Sequence, residues 1–195
     1  LRASPPGARR SPGPAPPMTR STFEPLEGAL RNGRTVRLRA VERSDEEELL
    51  QAFDRLGAEA RYMRFMHSVR EANVPRLREV LGSFPEKGLA IAATVPADDG
   101  IDIVGAASFV IGSRGDDCEF AISVVDGWAG AGLGQVLMTA LVGAARTRGL
   151  REMTGFVLAE NSPMLRLAGR LGFAVRRDPD DFSQCICRLA LDRGA

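Results

Sequence analysis

The segment from Glu119 to Gly134, EFAISVVDGWAGAGLG, decides how the rest of the chain is read. Its first half places apolar residues at Phe120, Ile122 and Val124, the period of a strand with one face buried. Asp126-Gly127 breaks the strand, and glycines come next at every second position, 130, 132 and 134. Leu133, Val136, Leu137, Ala140, Leu141 and Ala144 then fall on one face at helical spacing, so a helix starts directly after the glycines. Strand, glycine loop and helix N-terminus in this order gather unbonded backbone N–H groups, and the helix dipole adds partial positive charge. Glycine permits positive φ and puts no Cβ between backbone and ligand. The segment predicts an anion site with a pyrophosphate as its guest.

Spacing separates the nucleotides that could bring one. A Walker loop needs Gly-Lys-Ser/Thr before the helix, and here Gln135 succeeds Gly134. A dinucleotide fingerprint needs GxGxxG; counted from Gly130 or Gly132, the third glycine position holds Gln135 or Leu137. That fingerprint also places an acid at the end of the next strand, where Glu152 comes too early and Glu160 too late. What remains, x-G-x-G-x-G after a strand ending Val-Val-Asp, resembles the acyl-CoA loop of the GNAT superfamily of N-acetyltransferases. The resemblance continues in ARTRGL (145–150), FVLAEN (156–161) and LGF (171–173), and spans residues 35–191. It implies an α+β fold: a mixed, mostly antiparallel sheet of about six to seven strands, flanked by helices and splayed at its central strands. It also implies acetyl-CoA as co-substrate.

The rest of the chain fits one domain. With 195 residues, 44% of them hydrophobic and 26% charged, the composition is globular. The net charge of +1 gives no field favouring nucleic acid or an anionic membrane. Residues 1–17 carry six prolines and no apolar run, which predicts disorder and excludes an export signal. Met18 reads as the natural start. A Pro/Arg-rich extension over 1–34 and a single domain over 35–191 are expected, with no membrane span and a cytoplasmic location. Cys185 and Cys187 alternate along a strand without metal-ligand partners, so the three cysteines read as reduced core thiols.

Periodicity predicts strands over 35–41, 88–95, 101–112, 152–160, 173–177 and 183–191 besides the opening one. A turn at Asp98-Asp99-Gly100 joins two of them. Helices are expected after a Ser44–Glu47 capping box, over 59–68, from Pro75 to Leu81, and after Asn161.

Acetyl transfer to an amine needs a held thioester, a neutral amine and a thiolate able to leave. In GNAT proteins the strand before the loop carries a bulge and splays, and pantetheine pairs with it. By position that role falls on Ile122, Ser123, Val124 and Val125, with an N–H near Val124 polarising the thioester carbonyl. The diphosphate role falls on Gly130, Ala131, Gly132, Leu133, Gly134 and Gln135. Asn161 is both a helix cap and a candidate pantetheine contact. Glu119 is the candidate base; Cys118 and Phe120 beside it are expected to make its surroundings apolar. CEFAISV and FDRLGAEARYMRFM (53–66) resemble the bacterial protein-lysine acetyltransferase subgroup, so a protein lysine is the first acceptor expected. A small-molecule amine or amino acid is the second, and a non-catalytic acyl-CoA sensor the third. The family's basic or amide side chains are replaced by Ala129 and Ala131, which predicts weaker coenzyme binding. Its tyrosine acid is replaced by Ala168, and Arg146, Arg148 and Arg151 are expected to serve the helix end.

Overall fold

The computed structural model describes residues 23–98 and 100–191. The proline-rich start, Met18 and Asp99 of the expected turn lie outside them. An antiparallel run is built from β1 (Leu26–Ala29), β2 (Thr35–Ala40), β3 (Gly88–Ala97), β4 (Gly100–Ile111) and β5 (Asp117–Val124). Next comes β6 (Glu152–Leu158), parallel to β5, and then β8 (Gln184–Ala190) and β7 (Ala174–Arg177), each antiparallel to its neighbour. The result is an eight-stranded open sheet in the order β1-β2-β3-β4-β5-β6-β8-β7.

Helices cover both faces. The long helix α4 (Leu133–Thr147) packs on β3, β4 and β5, where Leu137, Met138 and Leu141 meet Ile91, Ala107 and Phe109. Burying such a stripe is what holds an amphipathic helix to a sheet, at about 1.5–3 kcal/mol per large side chain. On the other face lie α1 (Glu46–Asp54) and α2 (Ala58–Phe65), succeeded by α3 (Val74–Gly82); Phe53, Ala92, Ile103 and Val125 form a second core there. The last helix, α5 (Ser162–Arg170), adds Leu167 and Ala168 to the first core.

Three expectations need correction. First, the extension assigned to 1–34 contains β1, so the sheet has one more strand than the seven that periodicity gives. Only Gly28 of β1 is buried, so alternation carries no signal; pairing with β2 and the turn at Gly33 hold it instead. Second, the Ser44–Glu47 box does not form. Asp45 is drawn inward by Arg39, whose guanidinium donates two hydrogen bonds of 2.7 Å to its carboxylate. The Glu42 N–H donates a third, and a 3-10 turn at Arg43–Asp45 leads into α1. Burial works to raise the Asp45 pKa, but these bonds and the Arg39 charge outweigh it and hold the carboxyl below its ordinary value. Third, the register irregularity is not in β5. It sits at Val104 of β4, where Ala93 pairs with Gly105 but Thr94 with Ile103, beside the end of β5. A bulge there bends β4 and turns the adjoining end of β5.

Candidate active site

The site begins where two parallel strands part. β5 and β6 pair only through Asp117–Glu152, Cys118–Met153 and Glu119–Thr154. From Phe120 onward β5 stays paired with β4 while β6 stays paired with β8, and a cleft of about 500 Å³ opens between them. Phe120 and Gly155 mark the fork. An added Cβ at Gly155 would strike the Phe120 ring, which also packs edge-on against Phe173 at 5.3 Å.

Along β5 the backbone alternates. The Val125 N–H donates to Val104 O at 3.0 Å, which aims it at β4. The Val124 N–H therefore points the other way, into the cleft. Ile122, Ser123 and Val124 line the cleft; Val125 does not, being 6% exposed and committed to β4.

At the open end stands the glycine loop. Gly130 and Gly132 have φ of 77° and 96°, and Gly132 is the N-cap of α4. Among the described residues no protein acceptor takes the N–H groups of 130 to 134, while the first helical bonds run from Gln135 and Val136 to Gly132 O. Gly130, Gly132, Gly134 and Gln135 line the cleft. Ala131 and Leu133 turn their side chains into the core, Leu133 because it opens the buried stripe of α4, so only their N–H groups remain available.

Sequence reasoning missed the arginines here. Arg31, in the turn between β1 and β2, donates its backbone N–H to Ala131 O at 2.9 Å and its Nη2 to Gly130 O at 3.1 Å. Arg34 reaches Gly127 O and lies 4.7 Å over the Trp128 ring. Arg31 lines the cleft, as do Arg166 and Arg170, one turn apart on α5. Only the α5 pair had a sequence signal, the i,i+4 spacing after Asn161. Arg148, by contrast, donates to Pro85 O and Gly88 O at 2.7 and 2.8 Å and sits away from the loop. Asn161 lines the cleft while its side chain accepts the Met164 N–H at 3.1 Å, capping α5.

Glu119 stands at the apex of the fork, exposed to the cleft. Cys118 and Phe120, expected to surround it, point to the other face and are buried. Facing it from α2 is Arg64, half-buried. Burial pushes the Arg64 guanidinium below the usual arginine value, and the Glu119 charge opposes that shift. Ala168 is fully buried, and Tyr62 lies outside the cleft.

The sequence profile described as "Acetyltransferase (GNAT) domain" matches residues 35–174. The chain belongs to the GNAT acetyltransferase family. Acetyltransferase PA5475 of Pseudomonas aeruginosa is 34% identical over 176 residues, covering 88% of this chain and 95% of that one. The GNAT domain of Streptomyces lividans PAT superposes with a TM-score of 0.77 at 22% identity, covering 85% of this chain and 96% of that one. The Salmonella typhimurium acetyltransferase yncA, solved with acetyl-CoA, gives a TM-score of 0.62 at 18% identity, with coverages of 82% and 96%. This GNAT chain is thus an acetyl-CoA-dependent N-acetyltransferase, and its own groups fit the coenzyme. Undonated loop amides and arginines suit a diphosphate, and the unpaired edge of β5 suits an amide-bearing arm.

Proposed function

We propose that the chain acetylates a primary amine, with Glu119 as the base and the Val124 N–H as the group that polarises the acyl carbonyl. The observation that carries this is the fork itself. One carboxylate stands at its apex, and an inward-facing N–H lies five residues further along the open strand.

Bound acetyl-CoA supplies an activated acyl group whose sulfur leaves readily, its thiol pKa being ordinarily near ~8.5. The loop amides at 130–134 with Arg31 fix the diphosphate, and β5 aligns the arm. Alignment alone replaces much of the entropic barrier to a bimolecular reaction. The Val124 N–H meets the negative charge that develops on the acyl oxygen. At a rise of about 3.3 Å per residue, Glu119 is about 16 Å along the strand from Val124. The amine proton therefore travels to the carboxylate through water in the cleft rather than directly. Ala168 provides no acid, so the departing thiolate is protonated by solvent.

A protein lysine and a small-molecule amine both satisfy this chemistry, whereas a coenzyme sensor would have no use for a carboxylate at the apex. The test is Glu119→Gln, with thiol release monitored at neutral pH. kcat/KM should fall by about 10²-fold or more, while the acetyl-CoA Kd from calorimetry stays within about twofold. Undiminished turnover would remove Glu119 from the mechanism.

A further inference from the structure

A second cavity of about 450 Å³ adjoins the cleft, between the sheet and helices α1 to α3. Its floor is made of small side chains: Ala106 pairs across the strands with Ser123, and Ser108 with Ala121. Its roof carries Leu49, Phe65, Val69, Leu77 and Phe84, all only half-buried. Large apolar side chains facing one another across a closed core would be buried; here the small floor leaves them an apolar space to surround. Arg64, Ala121 and Ser123 line both spaces, so the cavity and the acetyl-CoA cleft meet at them.

Arg64 is the charged group at that junction. Its guanidinium lies 4.9 Å over the Phe65 ring, and among the described residues it donates no hydrogen bond and makes no ion pair within 4 Å. A half-buried guanidinium that lines both spaces and has no acceptor among the described residues suits a carboxylate or phosphate through its planar fork. Other arginines of the chain are spent inside the fold: Arg39 on Asp45 and Arg61 on the carbonyls of Arg70 and Asp54. His67, at the cavity's rim, is engaged with Phe65 O through Nδ1.

We propose that the acceptor is a free α-amino acid with an apolar side chain. Arg64 holds its carboxylate, the cavity over Ala106 and Ser108 takes its side chain, and its amine is presented at Ser123–Val124. This rests on the reading that the cleft acetylates an amine. The ammonium first passes one proton through water to Glu119. The C–N bond then forms as the C–S bond breaks, the electron pair leaving on sulfur, and the second amine proton goes through solvent to the thiolate. A protein lysine would bring its amine on an unbranched chain without an anion, leaving the guanidinium unpaired and the apolar cavity unfilled.

The test compares L-leucine and L-phenylalanine with their carboxamides and with an Nα-acetyl-lysine peptide, in the wild type and in Arg64→Gln. Turnover is monitored by thiol release, and binding to the CoA-saturated protein by calorimetry. The free acids should exceed their amides by roughly 10- to 100-fold in kcat/KM and in affinity, the range of charge-assisted hydrogen bonds. In Arg64→Gln that ratio should collapse toward one, with the acetyl-CoA Kd and the thermal midpoint held as controls for folding. Should the variant unfold, the acid-to-amide ratio of the wild type decides alone. Acids bound in preference to amides but not acetylated would leave Arg64 as a carboxylate site and overturn the amino acid as acceptor. Equal handling of acid and amide, preference for the lysine peptide, or an unchanged ratio in Arg64→Gln would overturn the proposal.

Discussion

Gly132 is the residue at which the proposed diphosphate site is most directly testable. Its φ of 96° is a left-handed conformation, and an added Cβ would lie 3.3 Å from Arg31 Nε. Gly132→Val should therefore strain the loop by about 1–3 kcal/mol and push Arg31 away. Calorimetry should read a loss of at least about tenfold in acetyl-CoA affinity; an unchanged Kd would mean that the diphosphate does not sit on this loop. The glycines were legible because their spacing is local, while Arg31 was not, being 99 residues from the carbonyl it meets. Ala129 and Ala131 imply weak binding only if charge must come from the loop itself. Arginines of the β1–β2 turn and of α5 line the same cleft, and in the proposed reading they supply that charge. The cysteines do read correctly from sequence: all three are free and buried, and burial lifts the Cys118 thiol to about 12 and that of Cys187 to about 11.

At the scale of elements, the functional feature is an interruption of pairing, which no periodicity records. The alternation over 119–124 marks β5 as a strand but says nothing about its neighbour leaving it after Glu119. Two residues meet at the fork. The Phe120 ring occupies the space over Gly155, the first β6 residue beyond the last β5 pair. Gly155→Ala should force that ring aside, costing about 1–3 kcal/mol as overpacking does. A lower denaturant midpoint and a raised KM for acetyl-CoA are both expected, because the mouth of the cleft moves with Phe120. A variant with wild-type midpoint and KM would show that the fork is held elsewhere. The capping error has a similar origin. Ser44 and Glu47 have the right spacing, but the partly buried Arg39–Asp45 pair outcompetes them and sets the start of α1 one residue after Asp45.

Across the whole molecule, the chain surrounds one opening with parts drawn from distant segments. The β1–β2 turn braces the loop, α2 brings Arg64 to the cleft that Glu119 also lines, and α5 adds arginines from the opposite wall. The order of elements from β2 onward and the glycine loop ahead of α4 were legible in the sequence, since each depends on local alternation, helical spacing or glycine. The second cavity was not, because its floor of alanines and serines looks like ordinary strand until the helices above it are placed. No described helix is long and apolar enough to cross a membrane. The most direct test of the account is a crystal structure of the chain with acetyl-CoA. The diphosphate should lie on the amides of 130–134 beside Arg31, with the acyl oxygen about 3 Å from the Val124 nitrogen. A coenzyme bound anywhere but between β5 and β6, or an acyl oxygen turned away from Val124, would contradict it.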